Sequence, residues 1–128
     1  MFRIPALVIG AGQAGLAMSR CLGRRGIDHV VLERGRVAER WRSERWESLR
    51  LLTPNWMTRL PDWHYRGKDP DGFMRAAEFA DYLSAYAASA PVLTASAVRT
   101  VRRAGDEYWV ETEGVTWRAG AVVIATGY

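Results

Sequence analysis

Residues 4–15 run Ile-Pro-Ala-Leu-Val-Ile-Gly-Ala-Gly-Gln-Ala-Gly, an apolar stretch that breaks into three glycines at GxGxxG spacing. Few short patterns constrain a fold as tightly. Gly10 permits a sharp turn out of a buried strand, and Gly12 carries no Cβ to hold an approaching group away. Gly15 lets the next helix pack close against the strand. A helix beginning at that point aims its free N–H groups and the positive end of its dipole at whatever lies before it, which suits a pyrophosphate. A bare GxGxxG is a weak signal, because glycines punctuate ordinary turns. Here the flanks strengthen it. An apolar strand precedes the loop, a helical stretch from Gln13 to Arg25 follows, and Gly26 stands where a helix ends. A second strand, His29-Val30-Val31-Leu32, then leads into Glu33.

Glu33 lies about 20 residues beyond the loop, the separation expected of a carboxylate that binds ribose hydroxyls. A carboxylate there repels a 2′-phosphate, so the site suits the adenosine of FAD or NAD and not of NADP. The plain alternative is a surface glutamate that merely follows a strand.

At 128 residues the chain can build one domain with a real core and hardly two. Its net charge of +4 comes almost wholly from arginine, Lys68 being the only lysine. That balance is compatible with an anionic dinucleotide and does not demand nucleic acid. Cys21 is the single cysteine, which rules out an internal disulfide, a CxxC redox pair and a multi-cysteine metal site. His29 and His64 are isolated, so metal ligation is not expected. The apolar start is too short for a membrane span, and the glycine loop interrupts it, so neither a span nor a signal peptide is expected and the cytoplasm follows by default.

Four regions follow one another. Residues 4–33 read as a β-α-β unit, and residues 34–73 as irregular, rich in Arg, Trp, Pro and Gly. A helix from about Arg75 to Ser89 carries Phe79, Leu83 and Tyr86 at core spacing, and Pro91 stops it before a short buried strand at 92–94. Val98 to Arg103, Glu107 to Glu113 and Val115 to Arg118 read as a β-meander, and Ala121 to Ala125 as a central parallel strand. Right-handed crossovers place residues 4–9 between 29–33 and 121–126, with 92–94 outside 29–33. The expected architecture is α/β, a three-layer Rossmann-type domain with a β-meander crossover. Such a sheet binds ligands beyond the carboxyl ends of its strands, where Gly10, Glu33 and Thr126-Gly127 all fall.

The GAGQAG loop, Glu33 and the terminal Val-Ile-Ala-Thr-Gly together resemble the FAD-binding half of two-dinucleotide-domain flavoproteins. Arg40-Trp41, the stretch from Arg45-Trp46 through Thr53-Pro54, Leu60-Pro61, and Asp69-Pro-Asp-Gly-Phe-Met-Arg75 are similar to flavin-containing monooxygenases and their bacterial relatives. The resemblance spans essentially the whole chain. It implies that Gly10, Gly12, Gln13, Ala14 and Gly15 hold the pyrophosphate, and that Glu33, with Arg34 after it, holds the ribose. It also implies that Arg40 and Trp41 sit beside the flavin, that Val98 meets the adenine through its backbone, and that Ala125, Thr126 and Gly127 flank the cofactor. The implied cofactor is FAD, with NADPH or NADH as reductant in a full-length relative.

Two departures stand out. Many flavin-containing monooxygenases carry, in the segment matching Leu49 to Pro54, an Asn that steadies the flavin in its oxygenated form; Leu52 stands there in this chain. Family members also continue past the Ala-Thr-Gly segment into an NADP-binding domain with its own glycine loop, and then add a further strand to the FAD domain. This sequence has one GxGxxG, so residues 1–128 are expected to be a partial FAD-binding domain without the NADP domain.

Two function classes stay open: the FAD-binding part of an NAD(P)H-dependent oxidoreductase of the monooxygenase type, or a non-catalytic nucleotide-binding module or inactive remnant. No Ser-His-Asp or Cys-His arrangement appears and no side chain stands out as a general base, as flavin chemistry allows. The Arg- and Trp-rich stretch from Arg34 to Trp63 has the mixture of cations and rings that single-stranded nucleic acid uses. Its apolar, proline-containing setting favours packing over a flavin or core instead, or an exposed patch that promotes self-association.

Overall fold

The computed structural model describes residues 1–127; Tyr128, which closes the terminal Thr-Gly-Tyr, lies outside them. The chain opens with β1 (Phe2–Ile9), α1 (Gln13–Arg24) and β2 (His29–Leu32). The stretch from residue 34 to 73 is more ordered than its composition predicts. It holds a short helix α2 (Glu39–Ser43), a single tight helical turn (Asn55–Met57) and a small hairpin of β3 (Arg59–Leu60) and β4 (Trp63–His64). These elements are too short for a periodic pattern to reveal. Asn55 anchors the tight turn, its side-chain amide donating to the Asp69 carbonyl at 2.8 Å while its backbone N–H donates to Gly72.

The expected second long helix is α3 (Ala76–Ala87), with Phe79, Leu83 and Tyr86 buried as their spacing requires. Glu78 accepts the Arg75 backbone N–H at 3.1 Å and so caps its first turn. Then come β5 (Val92–Leu93), β6 (Thr100–Ala104), β7 (Glu107–Thr112) and β8 (Val115–Ile124). The sheet order is β5-β2-β1-β8-β7-β6, which keeps the expected placement of residues 4–9 between 29–33 and 121–126. β5 corrects the reading of a buried strand at 92–94, because it forms an edge and leaves Leu93 46% exposed.

The meander corrects the reading in a second way. Its third strand and the terminal parallel strand are one continuous ten-residue strand. Residues 115–119 of β8 pair antiparallel with β7, while the strand runs parallel to β1 from Trp117 to Ile124. Continuity past residue 120 depends on two unusual neighbours. Pro5 has no N–H to place in the ladder, and a Cβ on Gly120 would stand 2.9 Å from the Pro5 carbonyl oxygen. A glycine opposite a proline lets the two backbones pass.

The core is split by the sheet. Val8 and Val31 face one side and pack with Leu16 of α1 and Phe79, Ala80 and Leu83 of α3. Leu7, Val30 and Leu32 face the other side and pack with Val110 and Ala119 of the meander. This alternation follows from the twofold period of a strand. Val110 of β7 and Ala119 of β8 thus join Leu7, Val30 and Leu32 in one buried cluster. Among the described residues no helix is long and apolar enough to cross a membrane.

Candidate functional site

The carboxyl ends of β1, β2 and β8 converge on a crevice of about 270 Å³. Each glycine of the loop has a different reason to be glycine. Gly10 has φ +108°, and a Cβ on it would collide with the Ala125 carbonyl where β8 ends alongside β1. Gly15 is closed off by the Gly10 carbonyl, which a Cβ would strike, so α1 can lie against the loop. Gly12 is the contrast. Its φ of −87° is ordinary, and a Cβ there meets nothing within 4 Å. Among the described residues no packing requires glycine at position 12, and the missing Cβ leaves room for a group in the crevice to approach the backbone closely. Gly12 is also the N-cap of α1, no side chain caps that helix, and Gly12, Gln13 and Ala14 line the crevice. The first turn of α1, without a side-chain cap, therefore opens into the crevice.

Glu33 and Arg34 form the next wall. The Glu33 carboxylate accepts the Ala11 backbone N–H at 2.9 Å through Oε1 and the Gly35 backbone N–H at 2.7 Å through Oε2. It ties the glycine loop to the end of β2. A carboxylate offers about four lone-pair sites, so these bonds leave room for ribose hydroxyls. Val98 does not reach this crevice. It lines a smaller neighbouring cavity of about 180 Å³ that shares Gly10, Glu33, Arg34 and Thr126 with the first. The two cavities meet at Glu33, as an adenosine passing from one to the other would need.

On the far side of the loop, Arg40, Trp41, Ala125, Thr126 and Gly127 line the crevice. Gly127, at φ +77°, lies against Arg40, whose guanidinium would be 3.6 Å from a Cβ at that position. The Trp41 indole meets Phe79 edge-on at 4.7 Å, which joins the crevice wall to the core. Of the expected site residues, Gly15 and Val98 are thus the two outside this crevice: Gly15 acts through packing, and Val98 belongs to the adjoining cavity.

Sequence reasoning missed α2 as a wall. Ala38, Glu39, Glu44 and Arg45 also line the crevice. Ala38 adopts a left-handed conformation (φ 59°), and its N–H donates to the Ala11 carbonyl at 3.1 Å, bringing α2 directly against the loop. No residue type announces this turn, since alanine rarely takes a positive φ. Glu39 is bound to Arg36, and that hydrogen-bonded pairing lowers its pKa to about 2. Glu44 stands 3.7 Å from the Arg40 Nε. Arg45 lies over the Trp41 ring, 4.9 Å from its centroid.

The tryptophans divide between packing and exposure. Trp41 and Trp63 pack against the core, whereas Trp46 and Trp56 are exposed, so packing accounts for only part of the stretch. Leu52, the residue matching the family's Asn, is 96% exposed and lies outside the crevice. His29 is structural: its Nε2 meets the Ser19 hydroxyl at 2.7 Å and its Nδ1 the Ile27 carbonyl at 2.9 Å.

Comparison with known proteins bears on this geometry. An uncharacterized CzcO-like oxidoreductase of Geobacillus kaustophilus is 36% identical over 97% of this chain, which covers 36% of that protein. An indole-3-pyruvate monooxygenase of Oryza sativa, YUCCA4, is 35% identical over 86% of this chain and 26% of its own length. A flavin-containing monooxygenase from Stenotrophomonas maltophilia superimposes with TM-score 0.88 at 32% identity, covering 99% of this chain and 39% of that one. The chain thus spans about a third of the length of these relatives. Residues 7–128 match the model of the pyridine nucleotide-disulphide oxidoreductase family, and the protein belongs to that family, in its FAD/NAD(P)-binding Rossmann-type fold.

Proposed function

We propose that these 128 residues are the FAD-binding portion of an NAD(P)H-dependent flavoprotein oxidoreductase of the monooxygenase-like branch. The observation that carries this reading is the convergence at one crevice of Gly12, Glu33 and Thr126-Gly127, from three strand ends, with Gly12 open toward the cavity. The α1 N-terminus and its glycines would hold the pyrophosphate, Glu33 and Arg34 the ribose, and the Val98 cavity the adenine. Arg40, Trp41, Ala125, Thr126 and Gly127 would flank the flavin, which supplies electron transfer from the nicotinamide and reaction with oxygen when bound. The chain's own residues position that group and shield it from water.

The monooxygenase branch is favoured over the disulfide reductases. A bacillithiol disulfide reductase from Staphylococcus aureus shares the fold at only 21% identity, whereas the Stenotrophomonas maltophilia flavin-containing monooxygenase reaches 32%. We take the cytoplasm as the site of action.

The test is reconstitution of the purified chain with FAD, followed by addition of NADPH under the spectrophotometer. A bound yellow flavin is expected, and bleaching by NADPH supports an oxidoreductase. A flavin held but left oxidised supports a module that binds without turnover. A chain that stays colourless after reconstitution overturns the reading.

A further inference from the structure

α2 makes a wall of the crevice, yet none of its five residues is fully buried. Core burial alone therefore does not hold it, and a helix this short has no stability of its own. Three contacts fix its place. At its start the Ala38 N–H donates to the Ala11 carbonyl at 3.1 Å. In its middle the Trp41 indole meets Phe79 of α3 edge-on. The third contact is Arg42, whose guanidinium reaches α3, donating to the Asp81 carboxylate at 3.2 Å and to the Ser84 hydroxyl at 2.8 Å. Asp81 and Ser84 stand three residues apart and so share one face of α3.

Arg42 and Asp81 take no part in the crevice lining, whereas Arg40 and Trp41, beside Arg42 on the same short helix, do. The crevice wall is thus tied to a pair that lies outside the crevice. The Arg42 side chain is 27% exposed and that of Asp81 75%, so the ion pair by itself adds little to overall stability. What it can set is a population, the share of molecules with α2 in place when a ligand arrives. The apparent affinity of the ligand scales with that share.

We propose that Arg42 is a positioning residue for the crevice: its bonds to Asp81 and Ser84 clamp α2 onto α3 and hold Arg40 and Trp41 where bound FAD meets them. The proposal rests on the reading that the crevice holds FAD. Its consequence is opposite to that of simple charge. FAD carries a negative pyrophosphate, so Asp81→Asn, which removes a negative charge from the chain, leaves FAD binding equal or tighter if charge alone acts. By loosening the clamp it weakens FAD instead.

The experiment titrates FAD by quenching of flavin fluorescence on the native chain, Arg42→Ala, Asp81→Asn and the charge-swapped Arg42→Glu/Asp81→Arg. Hydrogen exchange across residues 39–44 is followed on the same proteins. Both single variants are expected to weaken FAD on the order of three- to tenfold, with faster exchange across α2 and a thermal midpoint lowered by less than about 5 °C. The swapped pair restores the ion pair with its charges reversed and should recover most of the lost affinity. Weaker binding in Arg42→Ala with equal or tighter binding in Asp81→Asn overturns the proposal, since Arg42 then acts by its charge. Native affinity in both single variants overturns it as well, as does a swap that recovers nothing. A native chain that binds no FAD overturns the crevice reading. Exchange across α2 then decides the clamp alone, faster exchange in the single variants upholding it and native exchange overturning it.

Discussion

The Glu33 carboxylate receives the backbone N–H of Ala11 at 2.9 Å, across 22 residues of sequence. A residue expected to serve the ribose is therefore also a brace for the glycine loop. Ala11 is fully buried, so its N–H has no water to fall back on. Glu33→Ala leaves that donor unpaired and is expected to cost about 1–3 kcal/mol of stability, in addition to weakening FAD. Denaturant unfolding measures the first effect and flavin titration the second. Unchanged stability would show that the brace is dispensable.

The glycines of the loop should separate by experiment. Gly15→Ala drives a methyl into the Gly10 carbonyl and must displace α1 or the loop, so it should lower the thermal midpoint and the yield of folded protein. Gly12→Ala adds a methyl to open space and should change stability by less than about 1 kcal/mol. It should nevertheless lose FAD, because the methyl occupies the path of the pyrophosphate. Thermal melts with and without FAD distinguish the two substitutions.

Tyr82 and Tyr86 tie α3 to the small hairpin, their hydroxyls donating at 2.7 Å to the carbonyls of Trp63 and Pro61. Burial pushes the Tyr82 pKa up to about 12 and raises that of Tyr86 as well. A phenolate cannot donate, so ionisation breaks both ties. Because the folded pKa lies above the unfolded value near 10, the stabilisation is complete below about pH 10. It is lost as the pH climbs from there through 12. Phenolate absorbance should show tyrosines ionising late, together with a change in Trp63 fluorescence. Early ionisation of every tyrosine would contradict this.

Leu83 is fully buried between α3 and the sheet, in the cluster that includes Val8 and Val31. Leu83→Ala should destabilise by about 2–5 kcal/mol, the combined cost of lost burial and a cavity. The unfolding midpoint in urea measures it. FAD affinity per folded molecule should stay the same, since Leu83 lines none of the cavities described above.

The sequence by itself determined the frame: a β-α-β unit around GAGQAG, Glu33 at the end of the second strand, the core stripe of α3, and a sheet order with residues 4–9 in the middle. These features rest on local rules, on spacing along the chain and on the handedness of crossovers. The tertiary structure alone decided that residues 115–124 form a single strand, because that depends on Gly120 facing Pro5 across more than a hundred residues. It alone decided that Ala38 takes a left-handed turn, bonded to Ala11, which makes α2 a wall of the crevice. It alone set Arg45 over Trp41 with a buried Nε. Each of these is a contact between distant segments, whose energy exists only once both are in place and therefore leaves no periodicity or spacing to read beforehand.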